Sequence, residues 1–115
     1  MNYDLENRCA VFGEKIIYFC RRLKKDQIIY PLVTQIIRSS TSIGANYMEA
    51  NQASSKKDFR SKIRISQKEA NETKHWLRML AAASPDVKKE LRVYWHEAHE
   101  LTLIFSKISK SCENI

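Results

Sequence analysis

The stretch KKDFRSKIRISQKEANETKHWLRMLAAA, residues 56–83, carries one period from end to end. Phe59, Ile63, Ser66, Ala70, Thr73, Leu77 and Leu80 recur at steps of three and four. That spacing puts small and apolar side chains on a single face of an α-helix. Ser55 offers an N-cap, and Asp58 three residues on gives an acidic variant of the capping box. Ser84-Pro85 closes the stretch and is expected to cap the next one, with Pro85 at its first helical position.

The same period extends outward in both directions. From about Asp86 to Ser111 the inner stripe is Val87, Leu91, Tyr94, Ala98, Leu101, Phe105, Ile108 and Cys112. From about Pro31 to Ala53 two stripes lie side by side, Leu32-Ile36-Ser40-Ile43-Tyr47-Ala50 and Val33-Ile37-Thr41-Gly44-Met48. Only Arg38 and Glu49 are charged there, so this helix is expected to be covered on more than one side. From about Tyr3 to Lys25 the stripe is Leu5, Cys9, Phe12, Ile16, Phe19 and Leu23, with Asp4 and Glu6 in the first turn and Arg21, Arg22, Lys24 and Lys25 in the last. Those charges complement the helix dipole. Four amphipathic helices joined by short turns predict an all-α, antiparallel up-down-up-down four-helix bundle, as one domain over residues 1–115.

Composition supports this and narrows function. The chain has 115 residues with only two Gly and two Pro, too few for the turns of an all-β fold. Gly13 and Gly44 stand alone, so no Gly-rich phosphate loop exists. The acidic N-terminus is unlike a secretory signal, and no apolar run approaches a membrane span. Cys9, Cys20 and Cys112 are an odd number outside metal-binding spacings, as expected for reduced, partly buried thiols of a cytoplasmic protein.

The net charge of +7 is concentrated. Residues 55–83 hold eight basic and three acidic groups, whereas residues 84–115 balance at five each. On a helical projection Lys57, Arg60, Arg64, Lys68, Asn71, His75 and Arg78 form one line opposite the Phe59–Leu80 face, with Lys74 beside it. The line runs about 30 Å at 1.5 Å per residue. Its cations suit phosphates, with Arg60, Arg64 and Arg78 able to fork onto phosphate oxygens and Asn71 adding a hydrogen bond. No helix-turn-helix, zinc finger or aromatic stacking platform accompanies it. Binding is therefore expected to be backbone-driven and without sequence specificity.

No catalytic constellation stands out. Glu72-Thr73-Lys74-His75 has the Glu-x-x-His spacing of di-iron bundles, but only once and off the inner face. His96 and His99 share one face, and two ligands do not make a metal centre. Cys9 and Cys112 fall on apolar stripes, and Ser39, Ser40 and Ser42 lack a nucleophile context. No enzyme, metal or cofactor is expected. Leu103 lies opposite the core stripe of the last helix, flanked by Val93 and Ile104 with Trp95 off-centre, and with the uncharged second helix this points to a homo-oligomer.

Arg38-Ser39-Ser40-Thr41-Ser42-Ile43-Gly44-Ala45-Asn46-Tyr47-Met48-Glu49-Ala50 resembles the signature of a bacterial four-helix-bundle family, the proteins encoded within 23S rRNA intervening sequences. Lys57-Asp58-Phe59 and Ile65-Ser66-Gln67-Lys68-Glu69-Ala70-Asn71-Glu72-Thr73 resemble its third helix. Many members carry Ile-Ala-Glu-Gly where this chain has Tyr47-Met48-Glu49-Ala50. The resemblance implies a ring, typically a homopentamer, with a basic surface proposed to contact nucleic acid. A relative that serves a retroelement reverse transcriptase as an accessory subunit implies a protein partner as the alternative. Arg38, Asn46 and Glu49 match signature positions and are expected to be structural, pairing with other helices or subunits. The leading expectation is a non-enzymatic oligomer that binds RNA or DNA backbone; the alternative is a scaffold or accessory protein. No membrane association is expected.

Overall fold

Capping groups and side-chain size set where each helix begins and how near it lies to its neighbours. The structure is a computed structural model describing residues 2–113, with side chains from Leu5 onward. It contains α1 (Asn2–Arg22), α2 (Ile29–Asn51), α3 (Lys56–Ala83) and α4 (Lys88–Glu113), with a 3₁₀ turn at Pro85–Val87. No strand occurs among the described residues, and the helices pack consecutively as an antiparallel four-helix bundle measuring 47 × 23 × 19 Å. The expected dipole partner Asp4 has a side chain outside the described set; Arg21 and Arg22 do occupy the last turn of α1.

The ends of α3 coincide with those expected from its period, and Ser55 Oγ accepts from the Asp58 backbone N–H at 3.0 Å. Other ends differ. α1 stops at Arg22, so Lys24 and Lys25 lie past its last turn instead of within it. α2 begins at Ile29, two residues ahead of Pro31, because Asp26 Oδ1 accepts from the N–H groups of Ile28 and Ile29 at 3.0 and 2.9 Å. Asp26 thus satisfies donors that a helix start leaves open, and Pro31 still sits in the first turn, where it costs no hydrogen bond. Ser84 does not cap α4 with its side chain. Its hydroxyl lies 3.0 Å from an Asp86 carboxylate oxygen, and Pro85 opens the 3₁₀ turn instead, delaying α4 to Lys88.

The core is continuous from Cys9, Phe12, Ile16 and Phe19 on α1, through Ile36, Ile43 and Tyr47 on α2, to Leu77 and Leu80 on α3 and Leu91, Leu101 and Phe105 on α4. Small side chains bring α2 and α3 close together. Ser39 and Thr73, both buried, place their hydroxyl oxygens 2.8 Å apart, and Ser66 Oγ donates to the Ile43 carbonyl at 3.0 Å. Rings fill the wider space elsewhere: Phe19 packs edge-on to Tyr94 at 5.5 Å, and Tyr47 tilts against Phe105 at 5.7 Å.

α2 is covered on two sides, by α1 and α3, as expected, but its second stripe only in part. Val33 is buried, but Thr41 and Met48 are exposed. Together with Ala10, Gly13 and Ile17 of α1 and Ala45 of α2 they line an open apolar groove. No residue of α3 or α4 lines it, so the bundle itself leaves this seam open.

Candidate nucleic-acid interface

The ridge predicted on α3 exists as a line of outward side chains. Lys57, Arg64, Lys68, Asn71, His75 and Arg78 are exposed, and Arg60 is partly so. Ile63, Ser66, Ala70, Thr73, Leu77 and Leu80 on the other side are buried, so the phase of the helix is fixed by the core.

Its cations are not equally available. Near the start of α3, Arg60 Nη2 and Arg64 Nη2 both reach Glu113 Oε1 at the end of α4, at 2.7 and 3.2 Å. Arg64 Nε also points to Ser109 Oγ at 3.4 Å. Arg60 Nε is buried with no hydrogen-bond partner, a cost that holding Glu113 offsets. Lys74 leans toward α4, its Nζ donating to His99 Nδ1 at 3.1 Å and lying 5.2 Å from the Trp95 ring centroid. Lys57, Lys68 and Arg78 make no ion pair among the described residues.

The acids of α3 lie on its other flank, toward α2. Glu69 is 9% exposed and accepts from Arg38 Nη1 at 3.1 Å, while Glu72 pairs with Arg38 and accepts from Trp76 Nε1 at 2.9 Å. Arg38 therefore ties α2 to α3 through two carboxylates, with Gln35 accepting from its Nε at 3.0 Å. Glu49 receives Lys62 Nζ at 3.0 Å across the same seam, and Asn46 Nδ2 donates to the Ser42 carbonyl within α2. Leu103 stands 55% exposed on the outer side of α4, where Val93 is exposed as well.

α4 divides several of its charges between its two neighbours. Glu97 accepts two bonds from Arg8 of α1, both at 2.7 Å, and Glu100 takes a third at 3.0 Å. These bonds hold the Arg8 pKa above its usual value. Glu90 pairs with Arg22 of α1 at 2.7 Å and accepts from Tyr94 Oη at 2.6 Å, and the Arg22 bond holds its carboxyl below the usual range. Three of the acids of α4 are thus committed to α1. Lys88 and Arg92 face the α3 side, where with Arg78 they rim a notch floored by Leu77, Ala81 and Leu91 and walled by Trp95.

Lys88, Arg92 and Trp95 fall outside the set expected at the interface from sequence. Charge counting hides the two cations inside the balanced stretch 84–115, and Trp95 resembles a stray apolar residue. The available signal is the spacing 88, 92, 95 and 99, which places them on one helical face with His99.

Among the described residues no three His, Cys, Asp or Glu side chains converge as metal ligands, and no helix is long and apolar enough to cross a membrane. Cys9 and Cys20 are buried free thiols, which burial pushes up to about 12 and about 11; Cys112 is half-buried. At neutral pH both buried sulfurs stay protonated and unreactive.

Residues 2–85 match the family described as 23S rRNA-intervening sequence protein. The crystal structure of a protein of unknown function from the S23 ribosomal protein family of Bacteroides thetaiotaomicron superposes with a TM-score of 0.84. It is 33% identical, over 92% of this chain and 98% of that one. No curated protein matches in sequence.

Proposed function

We propose that this chain, which belongs to the 23S rRNA-intervening sequence protein family, is a non-enzymatic oligomer that binds RNA or DNA by its phosphate backbone. The carrying observation is the exposed cationic line of α3, widened by Lys88 and Arg92 of α4. A spaced row of Lys and Arg without sequence-reading groups neutralises phosphates of any sequence, and affinity then depends steeply on salt. The apolar groove between α1 and α2 supports self-association, since covering it buries Met48, Ala45 and Ile17. The same groove favours the second reading, a scaffold or accessory protein that docks a protein partner there.

The test is the salt slope of binding to mixed-sequence RNA and DNA, measured beside the native mass. Lys57→Glu, Lys68→Glu and Arg78→Glu are the variants to use, because none of the three is held by a carboxylate among the described residues. The triple variant is expected to lose binding and to lower the slope by about one for each phosphate no longer neutralised, with the oligomer intact. Retained binding, or no binding by the parent chain at low salt, overturns the reading in favour of the scaffold.

A further inference from the structure

Resting on that reading, we infer that the Arg78 end of the ridge seats one unstacked base of a single strand, with Trp95 and the notch beside it as the receptor.

Several observations converge there. The notch holds about 160 Å³, and its floor of Leu77, Ala81 and Leu91 is apolar. Trp95 is half-buried, so its indole is fixed yet partly open. His99 stacks on it nearly parallel, with centroids 5.1 Å apart and 13° between planes, and Lys74 holds His99 in place. Lys74 Nζ also lies 5.2 Å from the Trp95 ring centroid, so a base must enter from the notch side, where Trp95 borders the floor of Leu77, Ala81 and Leu91. Arg78, Lys88 and Arg92 surround the opening, and none has a carboxylate partner among the described residues. An apolar slot ringed by three free cations is complementary to a flat ring joined to anions on both sides, which describes a nucleotide within a strand. Duplex bases are stacked and paired, out of reach of such a slot, so the notch distinguishes single strands from duplex. An acidic peptide with an aromatic residue also has a ring beside negative charge. The polymer is favoured because exposed Lys68 and Lys57 follow Arg78 along the same face of α3, giving further cations for the phosphates of a continuing strand. Lys88, Leu91, Arg92 and Trp95 come from α4 and Leu77, Arg78 and Ala81 from α3, so the seat is built where the two helices meet.

The experiment compares the full chain with its Trp95→Ala and Trp95→Phe variants. The probes are a labelled 12-nucleotide single strand, the same strand with abasic sites, a duplex of equal length, and a Glu-Tyr copolymer. Trp95→Ala is expected to weaken the intact single strand about tenfold or more, and the duplex and abasic strand by less than about twofold. Trp95→Phe is expected to restore most of the loss. Equal effects of Trp95→Ala on all nucleic-acid probes, or none, overturn the seat while leaving backbone binding by the ridge standing. Binding to no nucleic acid overturns both, and Trp95-dependent capture of the copolymer alone replaces the nucleotide by a peptide. Should Trp95→Ala fail to fold, Trp76→Phe leaves Trp95 as the sole indole. Quenching of its fluorescence by the intact strand and not by the abasic one then supports the seat, and equal quenching overturns it.

Discussion

Glu113 does at the level of one side chain what no count of charges reveals. It holds two guanidinium groups of the ridge, at 2.7 and 3.2 Å, and a phosphate must compete with it for both. Partly exposed pairs of this kind add little to stability. Their consequence is a lowered number of free cations. Glu113→Ala is therefore expected to steepen the salt slope of nucleic-acid binding by about one to two, with unfolding shifted by less than about 1 kcal/mol; titrations at several salt concentrations check the first and urea unfolding the second. A slope unchanged from the parent would show that Arg60 and Arg64 do not meet phosphate. The positions of Arg60, Arg64 and Arg78 were legible from a helical projection. Their partners were not, because Glu113 lies 53 and 49 residues beyond Arg60 and Arg64 along the chain, and only the packing of α4 against α3 brings it near.

At the scale of helices, the glycines of the first two show how close approach is decided locally and felt between elements. A Cβ added at Gly13 meets Thr41 of α2 at 3.5 Å, an ordinary contact, whereas one at Gly44 comes within 3.3 Å of the Cys9 Cβ of α1. Helix-interior Gly costs about 1 kcal/mol against Ala. Gly13→Ala is expected to stabilise the chain by up to about 1 kcal/mol, and Gly44→Ala by clearly less, since α1 must give way; paired urea unfolding curves measure the difference. The existence, order and phase of all four helices could be read from period alone. The start of α2 could not, because Asp26 captures two backbone donors ahead of Pro31. Nor could the delayed start of α4, where Ser84 turns its hydroxyl to Asp86. Such side-chain choices are made between competing local partners and leave no periodic trace.

The molecule as a whole holds two buried thiols and one half-buried phenol in their protonated forms. Burial pushes Cys9 up to about 12 and Cys20 up to about 11, and burial with the Glu90 bond pushes Tyr94 up to about 12. The folded chain therefore keeps protons that the unfolded chain releases from about pH 9 upward. By linkage, this contribution to stability is complete below about pH 9 and declines as pH rises toward 11 or 12, by roughly 1 kcal/mol per pH unit for each fully differing thiol. Urea midpoints between about pH 7 and pH 10.5 are expected to show that fall, and Cys9→Ala with Cys20→Ala to flatten it. Stability flat across that range would mean that the sulfurs are hydrated in the folded state.

Periodicity, caps and dipole-matched charges made the chain four helices in a set order, because those signals act between residues three or four apart and need no partner element. The face each helix turns inward followed too, since water expels the same stripe whatever it packs against. Which charges cancel belonged to the tertiary structure. α4 gives Glu90, Glu97 and Glu100 to α1 and turns Lys88, Arg92 and Trp95 toward α3, a division set by where it sits between two neighbours, and electrostatic pairing follows separation in space rather than along the chain.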